Sequence, residues 1–162
     1  MTVSPVGLLA LTKHRLRDLL IASPTWQTMC GGSSAASDRA FINEAPPRSP
    51  TPHAIITHGD GYTQTRDGIR DGVMIQSGDL VLYFCANALP GAGNTDAFTE
   101  FDNRIQAIIN DIFKSGNGGH GIVLDSWMFA KDGSPMRVVA DQRDKFGDLI
   151  FCEMIIAYRM WD

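Results

Sequence analysis

The sequence predicts an α+β fold, a mostly antiparallel sheet packed on one face by two main helices, in the order α-β-β-β-β-α-β-β-β. Two observations carry that prediction. Apolar residues recur at three- and four-residue steps in only two stretches, near the N-terminus and near residue 105. Most of the remaining apolar sequence alternates with a period of two and is punctuated by Gly and Asp-Gly.

The first helix is expected from Ser4 to Ala22, with Ser4 as N-cap and Pro5 at its first position. Leu8, Leu9, Leu16, Leu19 and Leu20 form its apolar stripe, while Lys13, Arg17 and Asp18 are expected off it. Ser23-Pro24 ends the helix, and a short turn from Trp26 to Cys30 leads to Gly31-Gly32. Pro46, Pro47, Pro50 and Pro52 then favour an extended surface loop over 44–52 within a single domain, 1–162.

Four strands are expected next: His53–His58, Tyr62–Arg66, Val73–Gln76 and Asp79–Ala86. Arg66-Asp67-Gly68 and Arg70-Asp71-Gly72 read as hairpin turns. The second helix, Asp96–Ser115, carries Phe98, Phe101, Ile105, Ile108 and Ile112 on one side and Glu100, Asn103, Gln106 and Asn110 elsewhere. Three further strands, Gly121–Ala130, Met136–Ala140 and Leu149–Met160, are joined by Asp132-Gly133 and by a charged turn from Asp141 to Asp148.

The last strand is the most informative. Ile150, Cys152, Met154, Ile156, Tyr158 and Met160 make one wholly apolar face, which belongs under the helices. Its other face sets Leu149, Phe151, Ile155 and Ala157 beside Glu153 and Arg159, too greasy for simple solvation. Strand Asp79–Ala86 repeats the pattern, with Leu80, Leu82 and Phe84 opposed to Val81, Tyr83 and Cys85. Two helices cover one sheet face, so a second apolar face asks for cover of its own, from the Pro-rich loop, another layer or a neighbouring subunit. Subunits are the favoured cover. The plain alternative is a pair of central strands in an ordinary two-layer core.

Composition narrows the function. Hydrophobic residues make up 44% and charged residues 20% of the 162, ordinary globular values. The net charge of −4, with Lys and Arg scattered, lacks the basic face of a duplex-binding protein. The three cysteines, Cys30, Cys85 and Cys152, form no C-x-x-C pair and read as reduced, buried thiols. No run approaches the roughly 20 apolar residues that span a bilayer. Val6 to Leu11 precedes Lys13, Arg15 and Arg17, the reverse of the order in an export signal.

Each candidate for chemistry meets a physical objection. Gly91-Ala92-Gly93 after a strand is similar to a dinucleotide fingerprint, but Asp96 would set a carboxylate where the pyrophosphate binds. Gly116-Asn117-Gly118-Gly119-His120-Gly121 follows a helix, whereas a phosphate loop precedes one. Gly31-Gly32-Ser33-Ser34-Ala35 follows a helical turn, not a strand, and lacks the second glycine of a nucleophile elbow. For a metal, His53 and His58 point to opposite faces of a strand, and His14 and His120 lie far along the chain. His58 and Asp60 alone can converge, two ligands where zinc takes at least three. Cys85 and Cys152 sit in apolar runs that quiet a thiol. Asp125 interrupts the apolar run Ile122–Phe129 without a second acid. The expectation is no enzyme and no cofactor.

The layout and several local patterns are more specific. His14-Arg15-Leu16-Arg17-Asp18-Leu19-Leu20-Ile21 leads through an extended segment to Ser77-Gly78-Asp79-Leu80-Val81-Leu82-Tyr83-Phe84. A helix follows with Phe98, Phe101, Asn103, Ile105 and Ile108, and the chain closes through Ile156-Ala157-Tyr158-Arg159. Taken together, these resemble the tail terminator and tail-completion proteins of long-tailed bacteriophages, over most of the chain and by pattern. This chain is longer than many of them, chiefly at 44–52 and 62–72.

The resemblance implies a structural virion protein of the neck, made and assembled in the host cytoplasm. It would form a homo-oligomeric ring, commonly a hexamer, that caps the tail tube and meets the head connector, with DNA sliding through the channel. The mild acidity suits such a channel. Expected interface residues are Arg66, Asp67, Arg70 and Asp71 in one turn and Arg143, Asp144 and Lys145 in another, with Phe151, Glu153, Ile155 and Arg159 on the last strand. The competing readings are another head-closure protein of the neck, and a small metal-dependent enzyme using His58 and Asp60.

Overall fold

Helix α1, Leu8–Ala22, ends where Ser23 turns extended, and its hydroxyl then caps α2, Pro24–Cys30, by accepting from the Trp26 N–H. The chain is described here by a computed structural model covering residues 8–66, 74–87, 97–116, 122–129, 137–144 and 147–161. Pro24 stands at the start of α2, where its missing N–H costs nothing. Gly31 closes it with φ +89°, and Gly32 at φ +145° opens α3, Ser33–Asp38. Both angles favour glycine. The expected turn is therefore a helix, and the segment Gly31–Ala35 is an interhelical corner followed by a helix start. The expected caps at Ser4 and Pro5 lie outside the described residues.

Strand β1, Ala40–Ile42, has no counterpart in the sequence expectation. It pairs in parallel with the start of β2, His53–Arg66. A parallel neighbour needs a crossover, and residues 43–52 supply it without a helix. The Pro-rich segment is this crossover. Ser49 donates to the Pro46 carbonyl through both its N–H and its hydroxyl, and Arg39 donates to the Thr51 carbonyl at 2.9 Å.

The four expected central strands are two long ones. β2 runs unbroken past Gly59-Asp60-Gly61, and β3, Met74–Asn87, runs past Ser77-Gly78-Asp79. These glycines read as turns but serve the sheet. The β2–β3 register shifts between His58 and Tyr62, and a Cβ built on Gly59 would stand 3.0 Å from the Asp79 Cβ and 3.2 Å from its carbonyl oxygen. Gly59 thus allows close strand approach at a bulge. Gly59→Val is expected to cost about 1–3 kcal/mol, measured by urea unfolding, with the far-UV spectrum unchanged.

Helix α4, Ala97–Gly116, matches its expectation within a residue at each end, although residues 91–96 lie outside the described set. Strands β4, Ile122–Phe129, β5, Arg137–Asp144, and β6, Gly147–Trp161, complete a sheet of order β1-β2-β3-β6-β4, with β5 also on β6. All pairings but β1–β2 are antiparallel. β3 occupies one edge of β6, so β4 and β5 share the other. They follow each other end to end, Phe129 opposite Met154 and Arg137 opposite Glu153. The expected turn at Asp132-Gly133 lies outside the described residues, whereas Asp141–Asp144 and Gly147–Asp148 are strand.

The core lies between the sheet and the helices. Leu16, Leu19 and Leu20 of α1, Trp26 of α2, Ala36 of α3, and Phe101, Ile105, Ile108, Ile109 and Ile112 of α4 bury against Ala54, Ile56, Leu80, Leu82, Phe84, Cys152, Met154, Ile156 and Tyr158. The α+β class holds, with the four described helices on one face. Trp26 anchors the layer, its ring 5.7 Å from Phe84 and its indole N–H donating to the Ala36 carbonyl at 3.1 Å. The buried Gln76 amide donates to the Tyr158 hydroxyl at 2.6 Å.

Contrary to expectation, Lys13 is buried, because β1 runs beside α1 and the ammonium donates to the Asn43 side chain at 2.7 Å. Arg17 does comparable work, donating to the Ala40 carbonyl at 2.7 Å and to Ser37. Arg17→Met is expected to lower stability by about 2 kcal/mol, since it strips a charged donor from two backbone carbonyls while keeping much of the aliphatic stem. Chemical unfolding measures it.

Candidate functional site: the outer face of the sheet

Residues of opposite parity to the core-facing set lie on the side of the sheet that none of the described helices covers. Register aligns them in rows across the strands. One row runs Phe41, Ile55, Tyr83, Glu153 and Arg137, and the flanking rows run His53, Cys85 and Phe151 on one side and Thr57, Val81 and Ile155 on the other. Tyr83, at the centre, is 39% exposed, the one exposed large hydrophobic among the described residues.

Val81, Cys85 and Ile155 are buried yet stand apart from the helix-side cluster. Phe41 meets the His53 ring edge-on with centroids 6.2 Å apart. The patch is a largely apolar belt over β1, β2, β3 and β6, broken by His53, Thr57 and Glu153, with Arg159 exposed toward one end.

Phe151, Glu153, Ile155 and Arg159, the strand residues expected at an interface, therefore share this face, with Phe151 and Glu153 half-buried. Phe41 and Ile55 join them without having been expected. Ile55 was legible as a strand residue, but its row needed the β2–β3 register, and Phe41 needed β1, whose three residues are too short to show a period. Of the expected contact turns, Asp67, Arg70, Asp71 and Lys145 lie outside the described residues. Arg66, Arg143 and Asp144 lie at strand ends.

The sheet edges are poor templates for a further strand. β1 is three residues long and is followed by Asn43, with φ +70°, ahead of Pro46 and Pro47. On the other side, the register of β4 against β6 shifts between Leu124 and Ser126, and that of β5 between Val138 and Ala140. Asp125, odd in an apolar run, is the extra residue of the first bulge. Short edges and bulges discourage edge-to-edge pairing, which leaves the broad face as the surface suited to contact.

Among the described residues the chemistry-bearing side chains do not converge, and the side chain of Asp60 lies outside them. His58 is exposed beside the β2 bulge, and among the described residues no three His, Cys, Asp or Glu side chains are placed to hold a metal. Gly91-Ala92-Gly93, Asp96 and the glycine run 117–121 lie outside the described residues. No described helix is long and apolar enough to cross a membrane. Two adjoining cavities, of about 110 and 290 Å³, share Met29 and Arg104 as lining. The Arg104 guanidinium is bonded to Glu100 at 3.1 Å.

The thiols are quiet. Burial pushes Cys30 and Cys85 up to about 11, with Arg39 partly offsetting the rise at Cys30. Burial, then the Asp102 and Glu153 charges, push Cys152 up to about 12. The folded thiols hold their protons at pH values where unfolded thiols lose them, so their contribution to stability is complete below about 9. It is lost as pH rises through 11 to 12. Thermal unfolding is expected to shift downward from pH 9 upward, and a native-state thiol assay at pH 8 to label slowly. At the acid end, burial lowers the His53 pKa against a partial rise from the Pro50 carbonyl. Its contribution is present above its ordinary value and lost as pH falls through the folded one.

No protein-family model matches this chain, and no curated protein matches it.

Proposed function

We propose that this chain is a structural virion protein of the phage neck, a subunit of a ring that caps the tail tube and joins it to the head connector. The observation that carries the reading is the largely apolar outer face of the sheet, centred on the exposed Tyr83 and covered by none of the described helices. Such a face is stable when another subunit covers it. The blunted edges support face contacts over strand addition. The resemblance of α1, the Ser77–Phe84 segment, α4 and the end of β6 to tail terminator proteins supplies the identity of the ring.

In a ring the face of one subunit meets a different surface of the next, and closure keeps such head-to-tail contacts from running on as a filament. Light scattering and negative-stain imaging of the purified protein, alone and mixed with tail tube subunits, test it. A ring, alone or at tube ends, is the expected result. A strict monomer that also leaves tube ends bare would overturn the reading.

A further inference from the structure

We draw no further inference here: the strongest candidate, the cleft between α2, the Thr51–Pro52 segment and α4, presents a half-exposed Arg104 already bonded to Glu100 over an apolar floor, and nothing in it shows what would fill it.

Discussion

Tyr83→Asp is expected to abolish self-association while leaving the fold in place. Tyr83 is 39% exposed on a strand whose opposite face, Leu82 and Phe84, carries the core contacts. A carboxylate there is solvated in the free subunit, and its repulsion from Glu153, opposite it on β6, costs less than about 1 kcal/mol. In a covered interface it would be buried without a partner, a penalty of several kcal/mol at each contact and enough to prevent closure. Sedimentation velocity should show the variant as a monomer, with a thermal midpoint within a few degrees of the parent. A Tyr83→Phe variant should assemble, because it keeps the apolar area. Equal assembly of the Asp variant would remove this face from the interface.

Trp26→Ala is expected to cost about 3–5 kcal/mol of stability, the range for deleting a large aromatic from a packed core. The residue is fully buried, touches Phe84 from the helix side and donates to the Ala36 carbonyl, so α2, α3 and the sheet all lose a neighbour at once. Removing the indole also strands that carbonyl, unless it finds water. Denaturant unfolding should show a lower midpoint with the slope retained. A loss below about 1 kcal/mol would mean that the helical layer does not depend on this contact. Trp26→Phe should recover most of the packing without the hydrogen bond, which separates the two contributions.

The sequence makes some elements legible because their signals are strong and local. Phe101, Ile105, Ile108 and Ile112 repeat over several turns, and all four are fully buried. Cys152, Met154, Ile156 and Tyr158 alternate long enough to announce a strand with one core face, and that face lies under the helices. Where expectation and structure part, a local sign is overridden by its surroundings. Gly59 and Gly78 look like turn residues. Gly59 is there because Asp79 approaches too closely for a side chain, and Gly78 lies between Tyr62 and Tyr158 in the register.

Lys13 fits an exposed helix face until β1 brings Asn43 beside it. β1 itself shows no period in three residues, and only the parallel partner supplied by the Pro-rich crossover makes it a strand. The same crossover adds to the candidate surface. The β2–β3 register sets Ile55 beside Tyr83 on the strip expected along β3 and β6, and β1 extends it by Phe41. Phe151, Glu153, Ile155 and Arg159 were legible from alternation alone, while a row spanning distant strands depends on register.

The most direct measurement of the central claim is an electron-microscopic reconstruction of the protein bound at the end of tail tubes. The expected map shows a closed ring in which a neighbouring subunit covers Phe41, Ile55, Tyr83 and Phe151. A ring in which this face points to solvent, or tube ends that carry no density from this protein, would contradict it.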